Sequence, residues 1–148
     1  MRLLLSAVLA ALVASGCGGD DGGSAIPTAP SINVGFSTSD LQIGSGAEAV
    51  NGRLVTVNYT GWAYSTSAPD NKGNQFDSSL QPGRSPFSFV LGTGNAIQGF
   101  HRGVLGMRVG GRRRIVIPPD LAYGNNPPSA SIRANETLLF EVELLSVQ

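Results

Sequence analysis

The sequence predicts an α+β domain in which several antiparallel strands surround one short helix. In residues 87–91, two phenylalanines and a leucine occupy every second position, which is the period of a strand with one buried face. Residues 138–144 show the same period, with glutamates on the opposite face. Between these strands, Ala96, Ile97 and Phe100 recur at the spacing of one turn and would share one face of a helix. We therefore expect this helix to pack on the concave face of the sheet.

The first residues have the pattern of an export signal. Arg2 precedes an apolar run over residues 3–14, which is shorter than the ~20 residues of a membrane-spanning helix but suits a signal peptide at residues 1–16. The run leads into VASGC at 13–17, which resembles a bacterial lipobox. The resemblance implies cleavage before Cys17, lipid attached to that cysteine, and an exported protein anchored to a bacterial membrane, at the periplasmic face or in the outer membrane. An ordinary secreted protein with a free thiol is the alternative.

A tether and one domain are predicted after this signal. Residues 18–30 are mainly Gly, Asp, Ser, Ala and Pro, a composition with little to bury, so residues 17–31 are interpreted as the lipidated cysteine and a flexible tether. Residues 32–148 have the length of a single domain. Cys17 is the only cysteine, so an internal disulfide is excluded and the core must stabilise the fold unaided.

Further strands and loops are predicted within this domain. Residues 54–60 alternate, and residues 112–117 form another strand that stops at two prolines. The polar segments 63–75 and 124–135 are predicted as loops from their turn residues. Two glycines within residues 92–94 turn the chain between the strand at 87–91 and the helix. A strand rich in phenylalanine, a glycine turn and a small apolar helix together predict the wall and floor of a pocket.

Charge and composition exclude several classes of function. Ten lysines and arginines balance ten aspartates and glutamates, and a net charge of zero argues against nucleic acid as a partner. The three arginines at 112–114 are interpreted as strand residues on alternating faces whose stems cover apolar surface, rather than as a nucleic-acid patch. His101 is the only histidine, so we expect no histidine-based metal cluster, and no metal or cofactor is predicted.

Two catalytic motifs are considered and set aside. GTG at 92–94 looks like the start of a phosphate loop, but the next glycine, Gly99, is misplaced and no strand–helix–strand alternation surrounds it. A triad through His101 would need Ser88 or Ser131, and neither lies in a nucleophile elbow. The chain is poor in acid–base and nucleophilic groups but rich in aromatic residues near turns, which indicates that an enzyme of this sequence would break no covalent bond.

Six blocks of sequence carry a resemblance to a known family. They are VNYTG at 57–61, QFDSS at 75–79, PFSFVLG at 86–92, AIQGF at 96–100, MRVGGRRRIVIPPDLAYG at 107–124 and TLLFEVELL at 137–145. In this order and at this spacing, residues 41–147 resemble the FKBP-type peptidyl-prolyl cis-trans isomerases, here in a bacterial lipoprotein form. The resemblance implies a twisted antiparallel sheet of about five strands wrapped around one short helix. It also implies an enzyme that rotates Xaa-Pro peptide bonds in exported proteins and assists their folding.

The same resemblance implies a set of site residues. The catalytic positions would be Tyr59, Phe76, Asp77, Ile97, Phe100 and Tyr123, and the substrate-binding positions Arg84, Phe87, Ala96, Ile132 and Phe140. Phenylalanine rings would cradle the proline, the Ile97 N–H and the Tyr123 hydroxyl would hold substrate carbonyl groups, and Asp77 would tune the polarity of the wall. For Phe140, in the middle of a strand, an ordinary core position is the alternative.

Three departures from the family pattern are visible. Phe100 stands where many members have tryptophan, Asn58 replaces a usual histidine, and RANE at 133–136 replaces a pattern of prolines. We expect the first two to leave activity intact and the third to alter the preference for residues around the proline.

The resemblance finally implies partners. These are proline-containing polypeptides and macrolide inhibitors of the rapamycin class. Nothing before residue 32 predicts the helical dimerisation arm of some exported relatives, so a monomer is expected. A non-catalytic module that binds proline segments, or a chaperone using the same pocket, is the alternative function.

Overall fold

The computed structural model describes residues 34–148. The predicted signal peptide at 1–16, the lipidated Cys17 and the tether at 17–31 lie outside the described residues, so they stay predictions. Among residues 34–148, no helix combines the length and apolarity needed to cross a bilayer.

The described chain folds into one antiparallel sheet with a single α-helix, which confirms the predicted α+β class. The sheet has six strands: β1 (Ser37–Gln42), β2 (Leu54–Tyr64), β3 (Lys72–Ser78), β4 (Phe87–Val90), β5 (Arg112–Ile117) and β6 (Leu138–Val147). Five of them follow the order β1-β5-β6-β2-β3, and β4 pairs with β2 off this path. The sheet therefore contains one strand more than the five that the resemblance implies.

Strand β2 lies at the centre of this arrangement. Its length of 11 residues lets it pair with β6 along one edge and divide its other edge between two strands. The first half, Leu54 to Val57, pairs with β4, and the second half, from Thr60 to Tyr64, pairs with β3. Val55 and Val57 are fully buried whereas Leu54 is exposed, as the predicted alternation requires.

The helix, α1 (Gln98–Val104), packs closely against β5 because two of its residues are glycines. A Cβ added at Gly99 would collide with the side chain of Ile117, and one at Gly103 would collide with that of Ile115. The helix is shorter at its start than predicted. Ile97 is its N-cap, with extended backbone angles of φ −63° and ψ 150°, so Ala96 and Ile97 precede the helix rather than belong to it.

The predicted loop over residues 63–75 is shorter than expected. Strand β2 continues to Tyr64 and β3 already starts at Lys72, which leaves a connection of residues 65–71. The polar composition of this segment predicted a loop, but cross-strand contacts outweigh local propensity. The Lys72 ammonium lies 4.7 Å from the centre of the Trp62 ring and 2.9 Å from a carboxylate oxygen of Glu141.

Strand β1 was not expected, because all six of its residues are exposed and most are polar. It pairs with β5, where the Asp40 carboxylate accepts a hydrogen bond from Nε of Arg113 at 2.6 Å. Arg113 also donates to the carbonyl of Gly103 at 2.9 Å, and Arg114 donates to Glu141 at 3.1 Å. Two arginines of the 112–114 run therefore join neighbouring elements through ion pairs.

The hydrophobic core lies between the sheet and α1. The apolar side chains that are completely buried come from β2, α1, β5 and β6 and from the segment before β2. They are Ala49, Val55, Val57, Val104, Ile115, Ile117, Leu138, Leu139 and Leu144. In one part of this core, aromatic rings line a cavity.

Candidate active site

A small aromatic cavity opens beside the N-terminal end of α1. Its volume is about 160 Å³. The lining residues come from β2, β3, β4, β6, α1, the turn before α1 and the segment after β5. They are Tyr59, Phe76, Asp77, Phe87, Asn95, Ala96, Ile97, Phe100, Tyr123 and Phe140. The fold thus brings together side chains that lie up to 81 positions apart in the chain (from 59 to 140).

The aromatic rings meet mainly edge to face. The Phe100 ring lies 5.3 Å from that of Phe140, at an interplanar angle of 80°, and the rings of Phe76 and Phe140 are 5.5 Å apart at 85°. Such geometry is the favourable one for aromatic pairs. Gly61 makes room for it, because a Cβ there would lie 2.6 Å from Phe76 and 2.8 Å from Phe140. Phe140 is both a core residue, only 4% exposed, and part of the cavity wall.

The polar side of the cavity is organised by the Asp77 carboxylate. Oδ2 accepts a hydrogen bond from the Tyr59 hydroxyl at 2.5 Å. Oδ1 accepts from the Arg84 guanidinium at 2.8 Å and from the backbone N–H of Ser78 at 2.9 Å. Both oxygens are therefore occupied, and the carboxylate orients its neighbours rather than acting as a free base.

Both tyrosines of the cavity carry neutral hydroxyl groups. Burial, the hydrogen bond to Asp77 and its charge raise the pKa of Tyr59 to about 12, although Arg84 acts in the opposite direction. Burial and the charge of Asp77 also raise the pKa of Tyr123. Among the residues that the structure describes, no side chain forms a hydrogen bond that alters the pKa of Tyr123. The Tyr123 hydroxyl can therefore donate a hydrogen bond to a ligand.

The turn before α1 supplies a backbone donor. Ile97 uses its carbonyl group to accept hydrogen bonds from the N–H groups of Phe100 and His101, at 3.0 and 3.3 Å, while its own N–H bonds to no backbone group of residues 34–148. His101 joins the helix to this turn, because its Nδ1 accepts a hydrogen bond from the Gly92 N–H at 3.0 Å. Ile97 thus lines the cavity with a backbone N–H that is available as a donor.

Nearly all the predicted site residues lie in the cavity wall, and two do not. Arg84 lies at the rim, with its side chain 50% exposed, and contacts Asp77. Ile132 is 5% exposed and belongs to the hydrophobic core cluster, outside the cavity lining. Asn95 was missed by the sequence analysis although it directly precedes Ala96. Its position in the glycine turn that carries two predicted pocket residues was the available signal.

The described residues offer no arrangement for metal chemistry. Within residues 34–148 there is no group of three or more His, Cys, Asp or Glu side chains placed to hold a metal ion. The cavity instead combines an apolar aromatic floor, a neutral hydroxyl and a backbone N–H. This arrangement can hold an apolar group of a ligand against the rings while the hydroxyl and the N–H bind polar atoms beside it.

Comparisons with known proteins identify the family. The profile of the FKBP-type peptidyl-prolyl cis-trans isomerases matches residues 46–145. An FK506-binding protein of Neisseria meningitidis serogroup B is 43% identical over 113 residues, which cover 76% of this chain and 96% of that protein. FK506-binding protein 1 of Aspergillus oryzae is 42% identical over 116 residues, covering 77% and 99%. The crystal structure of FkpA from Escherichia coli superposes with a TM-score of 0.63 at 36% identity, over 77% of this chain and 48% of that one.

The chain therefore belongs to the FKBP-type peptidyl-prolyl cis-trans isomerases. Membership confirms the enzyme class that the sequence blocks indicated: a catalyst of cis-trans isomerisation at Xaa-Pro peptide bonds. The fold expected from the resemblance is confirmed by the likeness to FkpA.

Proposed function

We propose that the aromatic cavity is the isomerase active site and that its substrates are exported polypeptides, whose folding the enzyme assists. The observation that carries this proposal is the meeting of Phe76, Phe100 and Phe140 with the Tyr123 side chain around one cavity. The volume of about 160 Å³ suits a single small side chain such as a proline ring.

The chemical task is rotation about a partial double bond. Resonance in the peptide bond makes its rotation barrier ~18–20 kcal/mol, so Xaa-Pro bonds interconvert over tens to hundreds of seconds. Acceleration to milliseconds needs about 10⁴-fold, or ~5.5 kcal/mol off the barrier. A twisted amide has lost its resonance and much of its charge separation. An apolar aromatic cavity therefore destabilises the planar amide more than the twisted one.

Selective binding of the twisted amide supplies the remaining reduction of the rotation barrier. The rings of Phe76, Phe87, Phe100 and Phe140 would surround the proline, with Ala96 beside them. The Ile97 N–H and the Tyr123 hydroxyl would hold substrate carbonyl groups on either side, so that the carbonyl before the proline is free to turn. Only interactions that are stronger in the twisted form accelerate the reaction. Tyr59, Asp77 and Arg84 would keep the polar wall in place, and Ile132 would support the loop beside it.

The direct test is a protease-coupled assay with a short Xaa-Pro peptide. The full chain should raise the rate of cis-to-trans conversion in proportion to its concentration. If peptides bind while the rate stays at its uncatalysed value, the chain is a binding module for proline-containing segments instead.

The cavity is also proposed to bind macrolides of the rapamycin class. The support is that several relatives are named FK506-binding proteins and that the cavity wall is aromatic. Such a macrolide should inhibit the peptide assay by competition, and calorimetry should show weaker macrolide binding to a variant with Phe100 replaced by Ala.

We further propose that the protein is a monomer exported and anchored to a bacterial membrane through lipid on Cys17. The support is the signal-like run at residues 3–14 and the VASGC segment at 13–17. The expected outcome is that Cys17→Ser, expressed in a bacterium that processes lipoproteins, moves from the detergent phase to the aqueous phase on phase partitioning. A variant that stays with the detergent as fully as the parent would contradict the lipid anchor.

A further inference from the structure

A larger groove lies beside the aromatic cavity and has no part in the mechanism above. Its volume is about 750 Å³, against about 160 Å³ for the cavity. One wall is the end of the β2–β3 hairpin and the other is the loop that precedes β6, with Ser131 and Arg133. Ligand sites usually enclose about 300–1,000 Å³, so this groove has room for a ligand larger than one side chain.

The groove and the cavity meet along strand β3. Gly73, Asn74 and Gln75 line the groove, and the next two residues, Phe76 and Asp77, line the cavity. The groove and the cavity therefore share strand β3 as a wall, although successive side chains of a strand point to opposite faces. A polypeptide substrate must leave the small cavity on both sides, and the groove is a depression that shares a strand with that cavity.

The lining of the groove suits a neutral polar chain. Asn74, Gln75 and Ser131 are exposed and offer hydrogen-bond donors and acceptors. The Lys72 ammonium pairs at 2.9 Å with Glu141, whose carboxylate is shared with Arg114, and Arg133 shares the groove with Glu136. No strong field of one sign results, so the groove matches the alternating N–H and C=O groups of a peptide rather than a phosphate or nucleic acid.

Strand β3 also has an open edge. It lies at the end of the sheet order, and within residues 34–148 its only partner strand is β2. The edge of a sheet presents unpaired backbone groups that an extended peptide can pair with.

We infer that the groove holds, in extended form, the polypeptide segment that flanks the substrate proline, and that it makes catalysis depend on substrate length. This inference rests on the proposed function, because it assumes that the proline occupies the aromatic cavity. Asn74, Gln75 and Ser131 are then residues that determine substrate preference, outside the catalytic set.

The test measures kcat/KM of the full chain for three peptides. Exchange NMR is used because it follows isomerisation without a protease. One is a tetrapeptide with a single Xaa-Pro bond, and the others extend it on one side or the other by about five residues, or ~17 Å of extended chain. One of the two extensions should raise kcat/KM about fivefold, the effect of one or two added hydrogen bonds. Asn74→Trp and Ser131→Trp, which fill the groove from its two walls, should abolish that gain and leave the tetrapeptide rate unchanged.

The matched control is Ser39→Trp, which places the same bulky residue on β1, at the opposite edge of the sheet. It should keep the gain. Equal kcat/KM for all three peptides, or a gain that survives both groove variants, would overturn the inference. If the tetrapeptide itself is not isomerised, the proposed function fails. Amide shifts of Asn74 and Ser131 on adding the longer peptides, absent with the tetrapeptide, would then still decide whether the groove binds the flanking segment.

Discussion

At the scale of single residues, the two polar groups of the cavity have different surroundings. The Tyr59 hydroxyl is committed to Asp77 at 2.5 Å, whereas the Tyr123 hydroxyl faces the same cavity with no such partner among residues 34–148. A committed group contributes to stability, and an uncommitted one is available to substrate. The two positions should therefore respond differently to mutation.

Tyr123→Phe should reduce catalysis without affecting stability. The change keeps the ring and deletes only one hydrogen bond to substrate, so we expect kcat/KM to fall about tenfold, near 1.4 kcal/mol. The melting temperature should change little. Thr38→Val, which removes a hydroxyl from the exposed strand β1, is the control for the peptide assay. A Tyr123→Phe variant that melts several degrees lower yet turns over normally would show that Tyr123 is a structural residue.

Asp77→Ala should lower both stability and activity. The Tyr59 hydroxyl would lose its acceptor and Arg84 its ion-pair partner, and a partly buried group left unpaired costs about 1–3 kcal/mol. Urea unfolding measures the loss, and the peptide assay measures the activity. Asp77→Asn keeps the shape and one acceptor, so its loss should be smaller. If Asp77→Ala unfolds at the same urea concentration as the parent, Asp77 does not have this stabilising role.

At the scale of elements, the site depends on how closely α1 approaches β5. Gly99 and Gly103 are both buried and face Ile117 and Ile115. Glycine is a poor helix former by intrinsic propensity, so this short helix is stabilised by packing rather than by its own residues. The close packing fixes the position of Phe100, one residue after Gly99, at the cavity floor.

Gly103→Ala should therefore destabilise the protein although alanine favours helices. The added Cβ would lie against Cδ1 of Ile115 and 2.6 Å from its Cγ2. Overpacking costs about 1–3 kcal/mol, against a gain of about 1 kcal/mol in helix propensity. We expect a net loss near 1 kcal/mol, or roughly 4 °C in melting temperature. Adding Ile115→Val should cost less in this background than in the parent, and strictly additive losses would argue against the clash.

At the scale of the whole molecule, two partly buried titratable groups connect stability to pH. Burial lowers the pKa of His101 below 6.5, although the backbone near Ala96 and Thr93 acts in the opposite direction. Burial alone would raise the pKa of Glu141, but hydrogen bonds from Lys72 and Arg114 outweigh it and lower that pKa below 4.5. In both cases the unfolded chain binds protons at a higher pH than the folded protein does.

The free energy of unfolding should consequently fall in two stages as pH decreases. The His101 contribution is complete above about pH 6.5 and is lost as pH falls toward the lower folded value. The Glu141 contribution is lost only below about pH 4.5. His101→Asn keeps an acceptor for the Gly92 N–H but does not titrate, so melting temperatures of this variant should lack the first stage. If the melting temperature of this variant depends on pH between 6.5 and 5 as that of the parent does, His101 is not the source of the first stage.

The period of apolar residues along the chain was sufficient to predict the strands with one buried face. The apolar positions of β2, β4 and β6 recur with period two because each strand packs one face on the core. The blocks that resemble the family then placed nine of the eleven predicted site residues in the cavity wall; Arg84 and Ile132 are the other two. The strand period depends on residues close together in the chain, whereas the site residues, which lie up to 81 positions apart, were predicted from the resemblance to the family.

Only the tertiary structure decided the remaining features. Strand β1 has no apolar period and exists because β5 supplies its partner, and Lys72 belongs to a strand because Trp62 and Glu141 contact it. Ala96 and Ile97 have helical spacing but lie before the helix, where the Ile97 backbone is extended. The groove beside β3 is formed by segments about 60 positions apart (74 and 131). Such pairings are non-local, and no window of sequence contains both partners.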